Sequence, residues 1–454
     1  MTNQLQHEET LAPAESRAQL LLSFILYISP VALLTTIFPL VTPEMSRQSI
    51  GGISLTSIIL AASITVPWLS QAVCLPLYRA IEAEHKAIAD AREAVRIEAD
   101  FAHDRRKFQL EKELRASLAE ARYQDISDIA AFTRSWLYIF LVTAPLTLLF
   151  ALPLAFILGW NSEALITFLI LGVLNVAFAQ LLMIPNLSKN RWVWAIAWGG
   201  FTAALYFFPL IWFLPPAVGS IILLIALGKD IAHLFHFRIV PLKNIAGDAL
   251  RGFLTGSVLW ADKYVFFIAA NGTIDVVAIY LSLIPTVIAY NYFFVAEAES
   301  INSVIARMWT LFDSTPLPQM KRESAQILRT SNRAMARTLG LAVICSVITG
   351  VLMAIFLPHT FPLAFSGLIV AFLFLVITLL NYQIEYMTMF ITVQLIGAAH
   401  LVAAIIIFAL NPSEWGYIPL MVADALIAFT AYRIYHRAWA APEYSLFWKR
   451  ALAW

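Results

Sequence analysis

The chain has 454 residues, of which 60% are hydrophobic and only 13% are charged, with 30 Lys and Arg against 29 Asp and Glu. An ordinary soluble domain carries about 25% charged residues, so this balance excludes one, and a net charge of +1 leaves no basic face for nucleic acid. Cys74 and Cys345, the only cysteines, lie in apolar stretches, which argues against a disulfide framework or a Cys-rich metal site and for buried free thiols.

Residues 1–17 form a polar tail without the basic region of a cleaved signal peptide, so the first apolar segment reads as a retained span. Continuous apolar runs predict an all-α polytopic membrane protein with twelve transmembrane helices near 18–42, 50–78, 132–158, 163–187, 192–213, 215–236, 248–270, 274–299, 336–357, 360–384, 387–410 and 415–439. With the amino terminus inside, the external gaps hold one basic residue, Arg47. The internal gaps hold nearly all the others, so both termini are expected on the cytoplasmic side of the inner membrane.

Between helices two and three the chain has no Gly or Pro from Pro76 to Pro145, and Arg79–Asp128 interleaves 10 basic with 12 acidic residues. This predicts a long cytoplasmic helical arm over 79–128, about 70 Å if unbroken. The pairs Glu82/Lys86, Arg96/Asp100 and Glu111/Arg115 give i,i+4 support. Ile81, Ile88, Val95 and Ala102 recur every seven residues, as in a short coiled-coil seam. The arm is either a solvated helix packing back on the protein or a docking site for a partner or a second copy.

The gaps at 237–247 and 299–336 suggest two six-helix lobes, 18–236 and 248–439, joined by a linker and followed by a cytoplasmic tail, 440–454. Two such bundles suit alternating access around a central site. Pro30, Pro39, Pro67, Pro145, Pro153, Pro185 and Pro209 lie in or beside helices of the first lobe, where each can kink a span.

No catalytic constellation, phosphate loop, cofactor motif or metal set is visible; His233 and His236 lack a third ligand. Charge at mid-membrane is confined to the second lobe. The first offers only neutral groups such as Asn175 and Gln180. Asp262 is 11 residues from Arg251, about 16 Å along a helix, and Asp424, with His400 at similar depth, lies nine residues from Arg433. A charge there costs at least about 2.5–3.5 kcal/mol unless it meets a partner or water. As sequence neighbours on a helix, Asp262 and Lys263 point about 100° apart, so each is expected to meet something on a different side. The candidate roles are a transport site or an ion network that only fixes packing.

The stretch Gly252-Phe-Leu-Thr-Gly-Ser-Val-Leu-Trp260-Ala-Asp262-Lys263-Tyr-Val-Phe-Phe267 resembles the seventh helix of the Pel exopolysaccharide transporter family. Leu283-Ile-Pro285, then Phe294-Val-Ala-Glu297-Ala-Glu299, is similar to the end of its eighth helix, and Arg329, Arg333 and Arg337 to the approach to its ninth. Leu118-Ala-Glu-Ala-Arg-Tyr123-Gln-Asp125-Ile resembles the entry to its third helix. The Gly-Ile-Gly-Phe start of those transporters is missing, and 79–117 is an insertion. The resemblance implies a member of the multidrug/oligosaccharidyl-lipid/polysaccharide exporter superfamily, exporting polysaccharide or lipid-linked saccharide, with Glu297 joining Asp262, Lys263, His400 and Asp424 as candidate cavity residues. A small-molecule exporter of the same superfamily, or a non-transporting scaffold of a polysaccharide synthesis complex, remains the alternative.

Overall fold

The computed structural model describes residues 17–101, 128–188, 190–235, 238–272, 276–311, 317–356, 358–359, 361–387 and 389–451. Helix α1, Arg17–Met45, leads into a two-stranded hairpin, β1 Ser49–Ile50 and β2 Ile53–Ser54. Gly51 and Gly52 close it with φ of 57° and 79°, a turn geometry that glycine adopts without strain. The hairpin replaces the first residues of the predicted second span.

Helix α2, Leu55–Phe101, is the largest departure from the expected boundaries, running unbroken for 47 residues through Pro67 and Pro76 from the apolar stretch into the charged arm. Within it Glu82 pairs with Arg79 at 2.8 Å rather than with Lys86. Ile81 is buried against the body; the rest of the heptad seam and the other two arm pairs lie outside the described side chains.

The third predicted span is two helices, α3 Asp128–Thr143 and α4 Leu148–Phe156, joined by a 3₁₀ turn at Ala144–Thr147. Pro145, which has no N–H to give, explains the break. The fourth is α5 Ser162–Leu181 followed by the short α6 Met183–Leu187. Asn161 caps α5, its side chain accepting from the Ala164 N–H at 3.0 Å. Helix α7 spans Arg191–Phe207 and α8 spans Leu214–Ala226. The sixth span does not run straight to residue 236: after α8 the chain turns by 98° into a 3₁₀ helix, Gly228–Phe235. Gly228, at φ 54°, makes that corner.

The second half contains α9 Leu242–Ala269, α10 Val276–Tyr292, a π-helical turn Phe293–Glu297, α11 Ala298–Leu311, α12 Leu317–Phe356, α13 Phe361–Tyr386, α14 Phe390–Leu410, α15 Tyr417–Ala438 and α16 Pro442–Ala451. Most of the gap expected at 299–336 is helix, because α11 and α12 carry on past the apolar stretches into polar sequence.

Among the described residues, eight helices are long and apolar enough to cross a membrane, or nine if the bent α8 pair counts as one span. This is an all-α polytopic membrane protein. Helix α7 has only 17 residues, and α9 carries Asp262 and Lys263 inside its apolar stretch. The apolar half of α12 points outward, with Val343, Ile344, Val347, Ile348 and Val351 all exposed, a stripe suited to hydrocarbon rather than water.

Helix α9 is the centre of the packing, lying against α2 on one side and α14 on the other. Glycines make both approaches close. A Cβ on Gly252 would stand 2.2 Å from the Gln71 carbonyl oxygen, and one on Gly397 would stand 1.9 Å from that of Leu254. Ser257 donates to the Gly397 carbonyl at 2.9 Å, and the Trp68 indole to that of Phe253 at 2.7 Å. Residues of α9 enter two apolar clusters: Val258 and Phe266 join one built from the second half, Ala261, Tyr264 and Phe267 one built with α2, α4 and α5.

Elsewhere α2 packs on α3 and α5, α8 on α5 and α7, and α1 on α7 and α10; α10 packs on α12 and α13, and α15 on α13 and α14. If the glycine contacts set the position of α9, Gly397→Ala lowers the melting temperature of the solubilised protein. Gly199→Ala, where an added Cβ meets nothing within 4 Å, leaves it unchanged or raises it, since Ala is about 1 kcal/mol better than Gly inside a helix. Equal melting temperatures for the two variants would contradict this.

Candidate functional site

Asp262 and Lys263 are almost fully buried on α9, at 1% and 4% exposure. They do not turn to different partners. The Lys263 ammonium donates to both carboxylate oxygens of Asp262, at 2.9 and 3.1 Å, and to the Leu259 carbonyl at 2.8 Å. The angle between adjacent helix positions constrains only the Cα–Cβ bonds; a four-carbon stem is long enough to fold back along the helix. The ammonium also lies 4.6 Å from the centre of the Phe374 ring on α13, a cation–π contact. Tyr417, at the start of α15, lies within electrostatic reach of Asp262.

Phe374 also meets a second pair. His400 of α14 meets the ring edge-on at 5.0 Å, and its Nδ1 lies 2.7 Å from Oδ1 of Asp424 on α15. Both residues are fully buried. His400 Nε2 and Asp424 Oδ2 have no hydrogen-bond partner among the described residues. An unpartnered polar atom in such surroundings costs about 1–3 kcal/mol. The two pairs act on one another, Asp424 lying within the electrostatic reach of both Lys263 and Asp262. Asp262, Lys263, Ser282, Gly367, Phe374 and Tyr417 line a small cavity with room for about one water molecule.

Four of the expected site residues therefore form one cluster. Glu297 does not belong to it. That carboxylate sits in the π-helical turn, accepting from Tyr292 at 2.8 Å and from Arg337 of α12 at 3.3 Å. Gln180 donates to the Val73 carbonyl and to Thr143, and Asn175 to the Leu171 carbonyl, so both are spent on local structure. His233 lies 3.8 Å from Asp230; His236 is outside the described residues.

A second charged group was not foreseen from the sequence. Where α2 leaves the apolar body, Arg79 lies 3.9 Å from Glu385 of α13, and buried Arg251 of α9 is bound to the same carboxylate. The Arg251 guanidinium lies over the Phe390 ring, 3.9 Å from its centre, and Asp248 interacts electrostatically with both arginines. These contacts tie α2 to helices of the second half. The only sequence signal was charge at the ends of apolar runs, which every span of such a protein has.

Fold and site together define a polytopic helical membrane protein with an ion cluster buried between helices of its second half. No protein-family model, no curated protein and no solved structure matches the chain.

Replacing Lys263 by Met keeps length and removes the charge, leaving the Asp262 carboxylate buried without its ion-pair partner. Breaking a buried pair from one side costs about 3–5 kcal/mol. Lys263→Met is thus expected to lower the melting temperature clearly, and Lys263→Met/Asp262→Asn to recover most of the loss. A single variant as stable as the parent would remove the pair from the structural account.

Proposed function

We propose that this chain is a twelve-span secondary transporter of the inner membrane, with both termini in the cytoplasm, that exports polysaccharide or lipid-linked saccharide by alternating access. The observation that carries the transport reading is the buried cluster of Asp262, Lys263, His400 and Asp424. Ionisable groups at this depth are expensive and by default mark a transport or coupling path.

Twelve spans in two six-helix lobes are supported by the packing. With α1 to α8 supplying spans one to six and α9 to α15 spans seven to twelve, the contacts repeat on a shift of six. Helix α2 meets α3 and α5 as α10 meets α12 and α13; α8 meets α5 and α7 as α15 meets α13 and α14; α1 meets α7 as α9 meets α14. The contacts between halves, α2 with α9 and α1 with α10, exchange under the same operation. Such a pattern suits parallel repeats related by an axis along the membrane normal. The saccharide substrate rests on the resemblance of 252–267.

Within this reading the cluster couples rather than carries. A cavity with room for a single water has none for a sugar, and both Asp262 oxygens are already occupied by Lys263. The coupling ion that suits the site is a proton, taken up at the unpartnered His400–Asp424 dyad, since a hydrated metal cation would need several free oxygens. The Arg79–Glu385–Arg251 group serves as an inner gate that must part when the cytoplasmic side opens. Because α2 runs unbroken to Phe101, the first part of the arm is continuous with that gate and serves as a handle for a cytoplasmic glycosyltransferase or regulator.

The test is export from cells or inverted vesicles. Asp424→Asn is expected to insert normally and lose at least about tenfold in export, the scale of one lost proton-transfer group. Arg79→Cys/Glu385→Cys, cross-linked across the inner end, is expected to stop export reversibly on reduction. Normal export by a stable Asp424→Asn protein would contradict the coupling role, and normal export by the cross-linked protein would contradict alternating access.

A further inference from the structure

One face of α13 joins the small cavity beside Lys263 to the inner gate. Leu363, Gly367, Val370 and Phe374 line that cavity opposite Asp262 and Lys263 of α9. About three turns further inward Glu385 is bound to Arg251 of the same α9. At about 100° per residue these positions form a single row, and both of its ends look at α9. Between them the row carries two polar residues, Thr378 and Asn381. Thr378 Oγ1 and Asn381 Oδ1 are buried and have no hydrogen-bond partner among the described residues. A buried threonine in a helix can donate to the carbonyl four positions back, as Thr143 and Thr338 do at 2.8 and 2.9 Å. Thr56 and Thr65 of α2 are open as well, but they lie about 180° apart on their helix, whereas Thr378 and Asn381 follow one another along one face. The steps from Phe374 to Thr378, Asn381 and Glu385 rise about 6, 4.5 and 6 Å. A water bonded at both ends spans about 5.6 Å, so one water fits each step.

We infer that Thr378 and Asn381 hold a chain of waters by which the His400–Asp424 dyad exchanges its proton with the cytoplasm. The inference rests on the proton-coupled reading and names the route the proton takes. One proton leaves the dyad, is accepted by a water beside Phe374 and passes inward. The Thr378 hydroxyl accepts one hydrogen bond and donates another, so it can relay; the Asn381 oxygen only accepts and so orients a water. The charged and titratable groups facing the row are Asp262, Lys263 and Tyr417 at its deep end, with the dyad across Phe374, and Arg79, Arg251, Asp248 and Glu385 at its mouth. While Arg79 and Arg251 hold Glu385, the row has no outlet. Parting of the gate therefore opens the proton route and the substrate route together, which makes the coupling obligatory.

The experiment is stopped-flow infrared spectroscopy on the full-length protein, reconstituted in lipid vesicles with its cytoplasmic face outward, after a pH jump in the outer solution. The signal is the carboxyl band of Asp424, identified by its loss in Asp424→Asn. Thr378→Val and Asn381→Leu are expected to titrate this band at the wild-type midpoint and to melt no lower, since removing an unpartnered buried polar group costs little. Their relaxation is expected to slow at least about tenfold, the scale of one lost proton-transfer group, while Thr378→Ser, which keeps the hydroxyl, relaxes as the wild type does. Wild-type rates in both variants overturn the inference. So does equal slowing in Thr378→Ser, or slowing that comes with a shifted midpoint or a lower melting temperature, the mark of a packing role. A wild-type band that does not respond to pH overturns the coupling reading and this route with it, whereas a responsive band with variants as fast as the wild type overturns the route alone.

Discussion

The Lys263 ammonium is the constraint around which the second half is arranged. Buried on α9, it is tolerable only because Asp262, the Leu259 carbonyl and the Phe374 ring enclose it. That enclosure requires α13 to stand close to one face of α9. The glycines at 252 and 397 bring α2 and α14 to the other faces, so the segment of α9 that carries the charges is buried. The small cavity beside the pair is what remains when these helices are drawn together.

Both halves bury polar groups. In the first, Gln180 donates to the Val73 carbonyl and Thr143, and the buried Glu84 carboxylate lies 3.5 Å from Arg134 and 3.3 Å from Arg238. In the second, two acid–base pairs share one aromatic ring. Trp68 and Tyr264 bond across the junction of the halves to the carbonyls of Phe253 and Phe150.

Helix was legible from the long apolar runs, and eight of the helices among the described residues, or nine with the bent pair, are long and apolar enough to cross a membrane. Their ends were less so. Apolarity marks where a helix meets lipid, but backbone hydrogen bonding continues into polar sequence, hence the 40 residues of α12 and the fusion of span and arm in α2. Breaks at Pro145 and Gly228 were visible only as residue types that permit one. The members of the cluster were legible from the cost of charge at depth, whereas their pairing was not. A helical wheel treats Asp262 and Lys263 as diverging vectors, and only the length of the lysine stem reverses that. His400 and Asp424, 24 positions apart, are brought together by the packing of α14 on α15, and the Arg79–Glu385–Arg251 group by contacts among α2, α9 and α13 that no local pattern encodes.

The central claim is that protonation of the buried dyad and the opening of the inner ends are one equilibrium. Its most direct test needs no substrate: spin labels on the inner ends of α2 and α13, with distances between them measured by pulsed electron resonance across a pH series. Coupling predicts a distance distribution that shifts with pH in the wild type and is frozen in Asp424→Asn. A distribution independent of pH, or one that shifts equally in the variant, would contradict it.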